Sequence, residues 1–317
     1  MPPKKGNSKP KKELEAAPSQ AGSLDQGELK SSSAQKRKRP SQENGSPKTA
    51  RRSGRGSAKS KPSQQQLLNY LLSEHATDLC RPNEESEFLE SQKGAQTYSG
   101  SILNPFEELL CAVVLSRPIS HMLGLRTIRT VLNEPYNFTS AKAVKDAGEQ
   151  KIHEAIWEAR TQHKQKTADE ILHVANVVLD NYTSDGDTKG ESLQAALDQN
   201  DGDVEKTVEA LQNNIKGFAK TGSSIFMRRV QWLWTAGYPY VDDRTAAALQ
   251  KLDLPAEAST LQKAIDQEWS KLDTQHVDGK DDAAKRMRAF VIILERAIGA
   301  DLENKIDDLV VAARETK

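Results

Sequence analysis

Cysteine is scarce: Cys80 and Cys111 are the only two in 317 residues. That number excludes a disulfide framework or a four-cysteine metal or iron–sulfur cluster, and both thiols sit in apolar helical stretches where a reduced, buried cysteine is the ordinary state. Long apolar runs are absent as well. None reaches the roughly 18 residues of a membrane span, and the amino terminus has no secretion-signal core, so a soluble, non-secreted protein with no membrane partner is expected. Sustained alternation of apolar and polar residues, the mark of a half-buried strand, is missing. The lack of a fixed-period repeat argues against a solenoid. No glycine-rich nucleotide loop follows a strand, and neither a hydrolase triad motif nor zinc-binding spacing occurs. The sequence therefore implies no metal and no cofactor.

Residues 1–62 lack large apolar side chains almost entirely. Built of lysine, arginine, serine, proline, glycine and glutamine, they cannot bury enough surface to offset chain entropy, and a disordered tail is expected. The formal net charge of zero conceals a split, because this segment holds 16 Lys and Arg against 5 Asp and Glu, leaving 29 against 40 in residues 63–317. A tail of +11 on a body of −11 suits a polyanionic partner for the tail. Within it, Lys36-Arg37-Lys38-Arg39-Pro40 is a compact basic block. The pattern reads as an import signal, implying the nuclear-import machinery as a partner and the nucleus as the location; a solvated solubility tail is the plainer alternative.

What is present from Ser63 onward is helical periodicity, so residues 63–317 are expected to be all-α. Ser63 can cap a first helix, and polar residues 82–101 read as a connection. Asn104-Pro105-Phe106-Glu107 then opens a helix with a cap, a first-turn proline and an acid at the positive dipole end. Its continuation, Leu109 to Leu115, has almost no polar face and should be central. Arg117-Pro118 interrupts it. Further helices are expected over Ile119–Leu132, from a Ser140 cap, over Glu149–Ala159 and over Lys166–Tyr182. Two short ones follow, Leu193–Leu197 and Val204–Leu211. The last four are Arg244–Leu252, Leu261–Leu272, Lys285–Ile298 and Leu302–Ala313.

The most informative stretch is residues 213–244. Ile215-Lys216-Gly217-Phe218-Ala219-Lys220-Thr221-Gly222 marks a turn between two helices, where a glycine can take positive φ and the next helix begins with its positive end outward. Lys216, Gly217, Ala219, Lys220, Thr221 and Gly222 would together cradle a phosphate, with Arg228 a turn further on. Alone, such a turn is most often only a tight connection. Trp232, Trp234, Tyr238 and Tyr240 then cluster ahead of Val241-Asp242-Asp243-Arg244. Trp232 and Phe226, at helical spacing, read as core; Tyr238 and Tyr240, beside Pro239, can equally be core or the wall of a base pocket. Either aspartate can be the cap of the following helix.

With those residues in view, the chain resembles the helix-hairpin-helix-GPD superfamily of DNA glycosylases over roughly residues 104–295. Leu115-Ser116 resembles the family's helix end, His163-Lys164-Gln165-Lys166-Thr167-Ala168 its basic helix start, 213–226 its hairpin, and Tyr240-Val241-Asp242 the place of its catalytic aspartate. The resemblance implies a two-lobed helical domain that binds double-stranded DNA, with Arg117 in the segment that fills the space of an extruded base. It also implies Asp242 as the carboxylate assisting base departure, with Asp243 its competitor. An oxocarbenium-like centre in a dry pocket is stabilised by a fixed carboxylate in any case.

Four departures qualify it. Thr221 stands where bifunctional members carry a lysine nucleophile, so strand cleavage through a Schiff base is not expected. Ala219 replaces the hairpin's second glycine, with a cost of about 1 kcal/mol if its φ is positive, in which case Gly222 would take the turn. Ser116-Arg117-Pro118 lacks the usual glutamine, and Arg117 can instead form a helix-ending ion pair. The iron–sulfur cysteines are missing. Separately, residues 193–211 resemble the later part of ubiquitin-associated domains, but without that module's first helix they read mainly as the helices before the hairpin. The expectation is a monofunctional base-excision glycosylase; the alternatives are a non-catalytic DNA-binding or chromatin-associated protein with the same fold and, third, an adaptor that binds ubiquitin through residues 193–211.

Overall fold

The computed structural model describes residues 61–315. The tail expected over 1–62, with its basic block, lies outside the described residues apart from Lys61 and Pro62. Among the described residues every regular element is helical, and Ser184 and Asp187 form one isolated bridge that closes a turn. No described helix is long and apolar enough to cross a membrane.

The order is α1 Gln64–Leu72, α2 Thr77–Cys80, α3 Asn83–Ser91, α4 Pro105–Leu115, α5 His121–Leu132, α6 Ala141–Glu158 and α7 Lys164–Asn181. Then come α8 Gln194–Asp198, α9 Val204–Asn214, α10 Lys220–Val230, α11 Asp243–Lys251, α12 Ala258–Glu268, α13 Asp282–Leu302 and α14 Ile306–Ala313. The starts follow from local chemistry. Ser63 and Gln66, and Asn104 and Glu107, form reciprocal capping boxes, while Ser120, Ser140, Asp203 and Asp281 each accept a first-turn N–H. The two helices expected around 140–159 are present as one element broken at Gly148, whose φ of 75° is outside the helical region.

One expectation is corrected. The stretch 82–101 is not only a connection, because it contains α3, a helix without an apolar stripe. Charge holds it in place: Glu84 pairs with Arg126 and Arg129 on α5, and the Arg129 guanidinium lies 5.1 Å over the Phe88 ring.

Two hydrophobic cores result. The first is built by α4 to α10, with Phe106, Leu110, Ile128, Ile171, Phe218 and Phe226 at its centre. The second is assembled from both ends of the body: Leu68 and Leu71 of α1 pack in one cluster with Leu249, Phe290, Leu294 and Leu309 from α11, α13 and α14. The chain leaves the first core through α10 and enters the second through α11, so residues 228–245 bridge them. Two buried arginines cross-link the cores there. Arg228 of α10 bonds Glu295 on α13, and Arg229, held within the first core by three bonds of 2.9–3.1 Å to the Glu108 carboxylate on α4, lies 3.8 Å from the same Glu295.

Candidate functional site

The turn after α9 is built around Gly217, whose φ is +93°. A β-carbon there would approach the Glu170 carboxylate to 2.6 Å, so both backbone conformation and space require glycine. Phe218 fills the first core edge-to-face with Phe226, at 5.8 Å between ring centroids, which anchors the turn from beneath. Ala219 is the residue preceding α10, with φ −100° and ψ −168°. This is ordinary extended backbone, so the strain expected at Ala219 does not arise, and Gly222 does not take the turn. It lies in the first turn of α10, where its added β-carbon would meet the Phe218 ring at 3.1 Å.

The outer side of this turn is open. Lys216, Gly217, Ala219, Lys220 and Thr221 are exposed, whereas Gly222 is buried. No side chain caps α10, and among the described residues neither Lys216 nor Lys220 is engaged in an ion pair. The arrangement leaves first-turn N–H groups, a helix dipole and two cations on one surface, the set that accepts a phosphate.

Arg228 and Arg117 do not join that surface. Arg228 is 6% exposed and its guanidinium is consumed by Asp242, Thr245 and Glu295, so it is an internal counter-ion rather than a phosphate contact. The Arg117 side chain is buried against Glu170 and donates to the Lys166 carbonyl at 3.2 Å, which ties the α4–α5 junction to α7. Its buried Nε has no hydrogen-bond partner among the described residues, a cost of this burial. Around this surface Lys216, Lys220 and Arg244 are exposed, as is Lys166, which lies 3.9 Å from Glu170, while Lys164 is half-buried over the Trp157 ring.

Asp242 is the N-cap of α11, which answers the choice between the two aspartates for that role. Its Oδ1 accepts the N–H groups of Arg244 and Thr245, both at 3.1 Å. Its Oδ2 accepts from Arg228 at 2.9 Å and from the Thr245 hydroxyl at 2.6 Å. Burial pushes the carboxyl upward, but the Arg228 guanidinium and the Thr245 hydrogen bonds outweigh it and hold Asp242 below the ordinary carboxylate range. Asp243, one residue on, is exposed in the first turn.

A cavity of about 670 Å³ lies between the two cores. Lys220 and Thr221 from the turn, Asp242, Asp243 and Arg244 from the start of α11, and His121 from α5 border it, with Leu115, Ile119 and Leu125 among its apolar lining. The exposed turn and the buried carboxylate thus share one opening. Tyr238 and Tyr240 do not. They line a separate cavity of about 650 Å³ with Val204, Val208 and Met227, and the Tyr238 ring packs edge-to-face on Phe290 at 5.2 Å. Tyr240 is held through its backbone by Gln231, whose amide accepts from Tyr240 N at 2.8 Å and donates to Tyr240 O at 3.0 Å.

Sequence reasoning missed His121, Tyr98, Glu295 and Arg296, all of which border the Asp242 cavity. Only one carried a signal: a glutamate on the buried helix α13, like Glu108 on the nearly continuous apolar α4, requires a cationic partner. The adjacent pair Arg228-Arg229 supplies it. The segment resembling a ubiquitin-associated domain is absorbed into the first core through Ala196, Leu197, Val204 and Leu211. No protein-family model, curated protein or solved structure matches the chain.

Proposed function

We propose that the chain is a DNA N-glycosylase-like protein that grips duplex DNA through the 216–221 turn and removes a damaged or mismatched base held in the cavity beside Asp242. The observation that carries this reading is the common border. Lys220 and Thr221, on a surface suited to a phosphate, and Asp242, an ionised carboxylate 7% exposed, face the same 670 Å³ space. That volume accommodates a nucleobase and its sugar, within the range of small-molecule sites. Base extrusion brings the glycosidic carbon out of the duplex. A fixed, largely buried carboxylate stabilises the positive charge that builds on the sugar as the base leaves. Thr221 offers no amine, so the proposed chemistry is hydrolysis without strand cleavage. Tyr238 and Tyr240, read from the sequence as either core or the wall of a base pocket, line the other cavity and are outside this proposal.

The non-catalytic alternative is favoured by one observation. Both oxygens of Asp242 are fully used in capping and in the pair with Arg228, as a purely structural aspartate would be. Single-turnover incubation with duplexes bearing alkylated, oxidised, deaminated and mismatched bases, read by alkali cleavage, separates the two. Release of one base class supports the glycosylase. Tight duplex binding with no release across the panel supports the DNA-binding alternative.

A further inference from the structure

His121 heads α5, and its Nδ1 lies 2.6 Å from Oε1 of Glu303, at the far end of α13. The histidine is mostly buried, with 14% of its side chain exposed, and it borders the cavity that contains Asp242. Among the described residues Nε2 makes no hydrogen bond. An imidazole whose Nδ1–H is donated to a carboxylate presents a lone pair at Nε2, and the carboxylate stabilises the imidazolium that forms when a proton arrives. The charged groups bordering the cavity around it are Arg117, Lys220, Arg228, Arg244 and Arg296 against Asp242, Asp243 and Glu295, with Glu303 in direct contact.

We propose that His121, oriented by Glu303, is the general base that activates the attacking water in this cavity. The assignment rests on the glycosylase reading. In the step, the bond from C1′ of the sugar to the base nitrogen breaks and its electron pair leaves with the base. A lone pair of water forms the new C1′–O bond, and the water's proton passes to Nε2 of His121. The imidazolium then gives that proton to the departed base, so the products are the neutral base and a sugar hydroxyl. Asp242 and His121 divide the work: the carboxylate opposes the charge on the sugar, and the imidazole takes the proton from water.

The contact also joins the two cores, so a clasp without chemistry must be told apart from a base. Single-turnover base release is measured for the parent, His121→Ala and His121→Asn, with and without added imidazole, alongside thermal unfolding of each. The asparagine amide can still donate to Glu303 but has no basic nitrogen. The expected result is a loss of about a hundredfold in the chemical step for both variants. Imidazole should restore a large part of it in His121→Ala. Three results would overturn the proposal: full activity in either variant, loss in His121→Ala without rescue, or loss that follows unfolding temperature and is recovered in His121→Asn. A parent that releases no base from any duplex fails the glycosylase reading, and the role of His121 fails with it.

Discussion

At the scale of single residues, the buried charges decide more than their number suggests. Glu107 closes the α4 capping box, accepting the Asn104 N–H at 2.8 Å, yet burial pushes its carboxyl up to about 7 from an ordinary 4.5. Between those values the folded state binds more protons than the unfolded one. Stability from this group is therefore complete below about pH 4.5 and is lost as pH rises through about 7. Glutamine serves the same capping position without titrating. Glu107→Gln should equal the parent near pH 4.5 and exceed it by at least about 1 kcal/mol above pH 7.5, measured by urea unfolding across that range. A constant difference would contradict the linkage. Asp242 runs the other way: its lowered value adds stability above the ordinary carboxylate range that disappears in acid. For Arg229 and Glu108, both almost wholly buried, removing one partner strands the other. Arg229→Met should cost about 3–5 kcal/mol, and Arg229→Met with Glu108→Gln should cost less than the single change. Equal costs would mean that the ion pair is not the interaction that matters.

At the scale of elements, the sequence was most legible where backbone chemistry acts locally. The caps at Ser63, Asn104 and Ser140, the break at Gly148 and the turn before α10 could all be read from residue type and spacing, because each depends on neighbours within four positions. Helix α3 could not. Its polar sequence has no period, and the partners that hold it, Arg126 and Arg129, are about forty residues away. The candidate site divides in the same manner. Periodicity placed the turn and the α11 start, but the burial of Arg228 and the turning of Tyr238 and Tyr240 toward a second cavity depend on how α13 packs against α10 and α11. The turn before α10 makes a sharp contrast testable. Gly217→Ala forces a β-carbon into the Glu170 carboxylate at positive φ, and should cost about 1–2 kcal/mol and weaken duplex binding. Ala219→Gly, at an extended position, should change binding little, since no strain exists there to relieve. Fluorescence anisotropy with a labelled duplex reads both. A gain in affinity for Ala219→Gly would show that the loop is strained after all.

At the scale of the molecule, the proposed function requires an acidic body to approach an acidic polymer through few cations. Residues 63–317 carry 29 Lys and Arg against 40 Asp and Glu, and burial removes Arg117, Arg228 and Arg229 from the surface count. Lys216 and Lys220 are left at the turn without counter-ions. If each meets one phosphate, Lys216→Ala with Lys220→Ala should lower the slope of log affinity against log salt by about two, with affinity falling alike for damaged and undamaged duplexes. An unchanged slope would move the DNA surface elsewhere. The second core is made from both ends of the body, so the cavity between the cores exists only when α13 is in place; sequence order alone gives no hint that His121 and Glu303, 182 positions apart, meet across it. The central claim is that this cavity removes a base with the help of Asp242. Its most direct test is single-turnover base release by the parent, Asp242→Asn and Asp243→Asn on the best duplex of the panel, with unfolding temperatures recorded together. The account predicts release by the parent and by Asp243→Asn, and a loss of at least about a hundredfold in folded Asp242→Asn. Release by folded Asp242→Asn as fast as by the parent would contradict it.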